Sequence, residues 1–142
     1  MNRTSWISTG LAALGFVDSI YLTWIKLTGS YTTCGPIGNC EAVNSSRFAE
    51  IAGVPIALIG AIGYLAIMIL ISLEVRFPDF KEGLLLGFFG FTLTGTIYSA
   101  YLTYVEIAIL NAICPYCVIS ALIMVLLFVL SVKRLRELLA TA

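Results

Sequence analysis

The sequence predicts an all-α membrane protein, a four-transmembrane-helix bundle, on three observations. Of its 142 residues, 60% are hydrophobic and only 11% charged, and the mean hydropathy is +1.01. Soluble domains carry about 25% charged residues, so a single soluble core of this size could not hide so much apolar surface. Four stretches of roughly 20 residues or more are free or nearly free of charge, each long enough to cross a bilayer. The basic residues, finally, are distributed unevenly among the segments that join those stretches.

The first span is expected over 6–27, from Trp6 to about Leu27, with Asp18 mid-helix and Lys26 at its outer end. Its short basic start could belong to a signal peptide. The apolar run exceeds a usual signal core, however, and no small-x-small cleavage site follows, so a retained helix is expected. The outer loop, 28–53, is rich in Gly, Pro and Asn, the composition of turns. Within it Asn44 can cap a short helix from Ser45 to about Ala52, which Gly53 and Pro55 would stop. Phe48, Ile51 and Ala52 share one face of that helix, which suits it to the membrane surface.

The second span is expected over 54–73 without a charge, and a short polar inner loop runs from Glu74 to Gly83. The third, 84–109, carries only Glu106 near its end, where the default expectation is that the side chain reaches the interface. The fourth, 112–132, is uncharged, and Lys133 to Ala142 form a brief amphipathic end. The chain therefore reads as a single membrane domain, 1–142.

With the N-terminus inside, the inner segments hold Arg3, Arg76, Lys81, Lys133, Arg134 and Arg136, against Lys26 and Arg47 outside. This asymmetry satisfies the positive-inside rule. It predicts a multi-pass protein of the plasma (inner) membrane with both termini cytoplasmic. All four cysteines then lie at the outer face, where disulfides persist. Histidine is absent, which removes a histidine-based triad, bis-histidine haem and His-containing zinc sites. The bilayer is the expected environment, and nothing points to nucleic acid.

The chain also repeats itself at an offset of 80 residues. Ser19-Ile-Tyr21-Leu22-Thr23 aligns with Ser99-Ala-Tyr101-Leu102-Thr103, Gly10 with Gly90, Gly15 with Gly95, and Cys34 with Cys114. The first and third spans run in the same direction, so the repeat is parallel. Each half then ends a span and presents a cysteine on the same side.

Cys114-Pro115-Tyr116-Cys117 opens the fourth helix. Proline suits the first helical position, because its missing N–H would have no partner there. Cys114 then falls near the N-cap and Cys117 in the first turn, where free N–H groups and the positive dipole end stabilise thiolates. Such thiolates exchange disulfides readily. The second pair, Cys34 and Cys40, occupies the turn-rich loop, and two pairs on one face suggest an electron relay. Two other readings use the same residues: a non-catalytic scaffold with two structural disulfides, and a four-thiolate zinc site. A redox role without metal is the expectation carried forward.

These residues resemble the vitamin K epoxide reductase (VKOR) family, in a stand-alone form without a fused thioredoxin-like domain. The resemblance runs from about Gly15 to Val118. It rests on Ser19, Tyr21 and Leu22, on Cys34 and Cys40, and on Val43 and Ser45-Ser46-Arg47-Phe48-Ala49. It continues through Gly53, Pro55, Gly60 and Tyr64 to the C-x-x-C that opens the last helix. Quinone-coupled oxidases of the DsbB type place their C-x-x-C in the first outer loop, the reverse of this order.

The resemblance implies a bundle around a quinone (menaquinone, ubiquinone or similar), with the loop helix over its outer mouth. It implies that Cys117 faces the quinone, that Cys114 exchanges with Cys40, and that Cys34 exchanges with a separate thioredoxin-like or DsbA-like protein. Electrons would pass from that partner through Cys34/Cys40 and Cys114/Cys117 to the quinone, making disulfides outside the membrane. The vertebrate members carry a tyrosine four residues beyond the second C-x-x-C cysteine. Here that position is Ala121, so a membrane quinone is expected rather than vitamin K epoxide.

Asn44 and Phe48 are candidates for the pocket lid, and Tyr101 for contact with a quinone oxygen. Tyr21, Tyr98 and Tyr104 are expected in packing or at the interface. Asp18 either accepts a hydrogen bond from a neighbouring helix or takes part in proton transfer, because a carboxylate within a span is costly and often functional. The glycines of the spans are expected to admit close helix approach.

Overall fold

The structure is a computed structural model describing residues 3–28, 50–51, 54–109 and 115–141. The described residues form four α-helices, α1 (Arg3–Thr28), α2 (Ile56–Arg76), α3 (Lys81–Tyr104) and α4 (Pro115–Thr141). A minimal hairpin precedes α2: β1 (Glu50–Ile51) pairs antiparallel with β2 (Val54–Pro55), Glu50 opposite Pro55 and Ile51 opposite Val54. The predicted helical bundle is the architecture found.

Its boundaries differ from expectation in ways the backbone explains. α2 begins at Ile56 rather than Val54, because a residue before proline is driven to extended conformations and Pro55 fixes Val54 there. The helix expected from Ser45 to about Ala52 does not include Glu50 and Ile51, which are extended and pair with Val54–Pro55; residues 45–49 and 52–53 lie outside the described residues. α2 runs on to Arg76 and α4 to Thr141, so parts of the expected polar loop and tail are helical. α2 and α3 are joined by Phe77 and a tight turn at Pro78–Phe80. The Phe77 amide donates to the Leu73 carbonyl at 2.7 Å and the Phe80 amide to the Phe77 carbonyl at 3.2 Å. α3 widens into a π-helical turn over Val105–Ile109.

Among the described residues three helical segments are long and apolar enough to cross a membrane: Ile56–Arg76, Pro78–Ile109 and Tyr116–Ala140. α1 is not among them, because Asp18 and a series of Ser and Thr side chains lower its hydropathy. Its 26 residues nevertheless extend about 39 Å, more than a hydrocarbon core of about 30 Å. It packs against both α2 and α4. Three of its hydroxyls are satisfied within the helix, Ser8, Thr9 and Thr23 each donating to the carbonyl four residues earlier at 2.8–2.9 Å, which removes most of the cost of placing them in an apolar medium.

Ala12, Tyr64, Ile67, Ile71, Leu85, Phe88 and Leu127 form the buried centre. Ile62, Ile97, Leu122 and Val129 are more than half exposed on the outer faces. A bundle whose exterior is this apolar is adapted to lipid. At the end of the bundle away from Cys117, Arg134 of α4 and Glu74 of α2 form a buried ion pair.

The internal repeat has a physical counterpart. A side-chain carbon at Gly15 would collide with the Tyr64 ring, and one at Gly95 would meet the Met124 side chain at 2.8 Å. In both halves the glycine of the odd-numbered helix receives a large side chain from the next helix. Thr23 donates to Ser19 and Thr103 to Ser99, both at 2.8 Å. Gly10 and Gly90, also equivalent, face open space, so the expectation of close approach does not hold for them.

Candidate functional site

α4 opens at Pro115, so Cys117 lies in its first turn, where N–H groups have no helical acceptor. Its side chain is partly exposed. The preceding residue, Tyr116, packs its ring on Tyr21 of α1, with centroids 5.2 Å apart and planes at 55°. Tilted aromatic pairs at this separation are favourable beyond the area they bury. Tyr21 belongs to the Ser19-Ile-Tyr21-Leu22 segment, which thus meets the C-x-x-C turn.

One turn deeper along α4 is Ser120. The Tyr64 hydroxyl of α2 donates to the Ser120 carbonyl at 2.8 Å and lies 2.8 Å from Ser120 Oγ. Tyr64 is fully buried, and its ring occupies the notch that Gly15 leaves on α1. Three helices therefore converge beneath Cys117, held by one phenol. The phenol needs such a partner, since an unpaired buried hydroxyl costs about 1–3 kcal/mol.

Asp18 lies on α1 between Gly15 and Tyr21. Its Oδ2 is buried without a hydrogen-bond partner among the described residues, and the carboxyl is within electrostatic range of the Tyr64 phenol. No helix among the described residues supplies that oxygen with the hydrogen bond that one of the two expectations called for. Glu106 does not reach the interface; it is buried in the π-helical turn after α3. Tyr101 is half exposed, and its ring lies 5.9 Å from that of Tyr98 on the same helix. Cys34, Cys40, Asn44, Phe48 and Cys114 lie outside the described residues.

The contact between Tyr21 and the C-x-x-C turn was not anticipated from sequence, although the repeated Ser-x-Tyr-Leu segment marked the residue. Gly15 was expected to admit close helix approach, and it does so for the Tyr64 ring; which side chain fills it, and the bond from Tyr64 to Ser120, were not legible in the sequence.

A planar, partly apolar ligand such as a quinone fits what surrounds Cys117. The Tyr21–Tyr116 pair supplies an aromatic surface beside an accessible sulfur, above a closed apolar core. The model of the vitamin K epoxide reductase family matches residues 6–132. The chain is 34% identical over 128 residues to the thiol-disulfide oxidoreductase LTO1 of Arabidopsis thaliana, covering 84% of this chain and 34% of that protein. It thus spans about a third of the length of that relative.

Proposed function

The chain belongs to the vitamin K epoxide reductase family, and on that premise we propose that it is a membrane thiol–disulfide oxidoreductase coupled to a quinone. A thioredoxin-like or DsbA-like dithiol delivers electrons to Cys34/Cys40, these pass to Cys114/Cys117, and a quinone accepts them. The net product is a disulfide in the partner. The observation that carries this reading is the position of Cys117, accessible in the first turn of α4 behind Pro115. Backbone N–H groups and the helix dipole there stabilise a thiolate, the form that acts as nucleophile and leaving group.

Residues of this chain have separate tasks in the proposal. Cys114 exchanges with Cys40 of the loop, and Cys34 with the external dithiol. Cys117 faces the quinone, flanked by the Tyr21–Tyr116 pair, with Tyr101, Asn44 and Phe48 as further pocket candidates. The quinone, when bound, supplies a two-electron, two-proton acceptor. The closed core below Cys117 keeps water from the buried end of the site, and the Tyr64–Ser120 bond fixes the depth at which α4 begins.

The test is quinone reduction driven by a dithiol protein with the purified chain. Cys117→Ser is expected to abolish turnover, and the wild type to show a thiolate–quinone charge-transfer absorbance that the variant lacks. Full turnover by Cys117→Ser would remove the relay as drawn.

A further inference from the structure

Helices α1 and α2 run antiparallel in a single register. The Tyr64 ring fills the notch at Gly15, and a side-chain carbon at Gly60 would lie 3.4 Å from Ser19 Oγ. Continued along the pair, that register sets Arg3, Trp6, Gly10 and Leu14 of α1 level with Arg76, Leu73, Ile69 and Leu65 of α2. The burial pattern follows it: Ser5, Ser8 and Ala12 are buried, and so are Glu74, Ile71 and Ile67 at the matching levels. The residues between them turn outward on both helices. Trp6 is 66% exposed, Leu14 62% and Ile69 50%, while Gly10 leaves open space one turn from Trp6.

Arg3 and Arg76 close this outward side at the end where α1 begins and α2 stops. Both are exposed, and neither forms an ion pair among the described residues. The Arg76 guanidinium lies 6.0 Å from the Phe77 ring centroid. The acids of the same end are Asp79 and Glu82 around the turn into α3 and Glu137 on α4, while Glu74 is taken by Arg134. Two guanidiniums at one level on neighbouring helices repel each other, and an anion between them removes that cost. Their depth is set by tryptophan. Trp24 is also 66% exposed and stands five helical turns from Trp6 on the same face, about 27 Å along the axis, close to a hydrocarbon core of about 30 Å. Tryptophans favour the boundary of that core, so Arg3, three residues beyond Trp6, reaches the phosphate layer.

We propose that the Arg3–Arg76 end of the α1–α2 face is a binding site for an anionic phospholipid. The lipid phosphate accepts hydrogen bonds from both guanidiniums, a pairing that suits the planar N–H fork of arginine. One acyl chain lies along Trp6, Gly10 and Leu14, where the missing side chain of Gly10 gives it room, with Leu73, Ile69 and Leu65 at the same levels on α2. A zwitterionic headgroup brings its own cation to the two arginines and is the weaker ligand. The proposal rests on the bundle's place in a membrane and not on the redox role of Cys117, so either can fail alone.

The experiment uses the full chain with Trp24→Phe, which leaves Trp6 as its one tryptophan, in vesicles of phosphatidylcholine with increasing phosphatidylglycerol. One lipid at a time carries brominated acyl chains, which quench Trp6 on contact. Brominated phosphatidylglycerol is expected to quench beyond its share of the bilayer. At about fivefold per arginine, its preference over phosphatidylcholine should be about 25-fold and should fall to about unity in Arg3→Gln/Arg76→Gln. Either single variant should lose about fivefold, and carries the test should the double variant fold poorly. Lys133→Gln/Arg136→Gln removes two bases of the same end from α4 and should keep the preference. Equal quenching by the two lipids with both arginines in place, or a preference that survives their removal, overturns the site. A loss as large in the α4 variant also overturns it, because the charge of the whole end would then attract the lipid. Two further results do the same: relief of the quenching by inorganic phosphate, which makes the ligand a free anion, and quenching by neither lipid, which puts a second copy of the chain over this face.

Discussion

A methyl group added at Gly15 would stand where the Tyr64 ring is, whereas one added at Gly10 would meet nothing. The two positions lie on the same helix and differ only in what the neighbouring helix sends towards them. Gly15→Ala forces a fully buried tyrosine to move, and with it the hydrogen bond to Ser120. Overpacking of this kind costs about 1–3 kcal/mol. Gly10→Ala has no such opposing contact, and alanine is the better helix former by about 1 kcal/mol. Gly15→Ala is therefore expected to lower the midpoint of SDS-induced unfolding, followed by circular dichroism in detergent, and Gly10→Ala to leave it unchanged or raised. Equal midpoints for the two would mean that α1 and α2 do not meet at Gly15. Serine and threonine behave differently again. Ser131 and Thr92 bond to one another between α4 and α3 at 3.0 Å, while most of the others close on their own helix, so their polarity is spent locally and adds little to helix pairing.

At the scale of elements, α2 and α4 are joined twice, by Tyr64 with Ser120 near the Cys117 end and by Glu74 with Arg134 near the other. Both partners of the ion pair are buried, so the effect of cutting it depends on what is left behind. Glu74→Gln leaves a guanidinium without a counter-charge. Its Nη1 already has no hydrogen-bond partner among the described residues. Removing one member of a buried pair costs about 3–5 kcal/mol, while replacing both by apolar side chains is often neutral. The SDS midpoint of Glu74→Gln should accordingly fall well below that of the double variant Glu74→Met/Arg134→Met. The opposite order would place the pair in water. Helix number and approximate position were legible in the sequence because uninterrupted apolar runs leave the backbone no alternative in lipid. The helix ends were not, because Arg76 and Lys133–Arg136 read as loop and tail when judged by charge alone. Both helices run past the apolar stretches, and there Glu74 and Arg134 pair across the bundle, a long-range contact that no local window contains. The site divides in the same way: Cys117 and its place behind Pro115 follow from C-P-Y-C, whereas Tyr64 and Ser120 come together from positions 56 residues apart.

Four helices run through the described residues, α1 to α4, which sets Arg3 and Thr141 at one end of the bundle and Cys117 at the other. Glu74 and Arg134 share the end that holds the chain's extremities. Six of its eight basic residues belong there too, Arg3, Arg76, Lys81, Lys133, Arg134 and Arg136. By the positive-inside rule we propose that the basic end is the cytoplasmic one. Under the proposed function Cys117 would then face the outer compartment, where disulfides persist. The orientation is open to direct measurement with single-cysteine variants in intact cells. In a variant retaining only Cys117, a membrane-impermeant maleimide added from outside should label the protein after mild reduction. In a chain lacking all four native cysteines, Lys133→Cys should resist the same reagent until the membrane is permeabilised. The reversed pattern would set the C-x-x-C pair in a reducing compartment, and there the same chemistry would run towards thiols instead of disulfides.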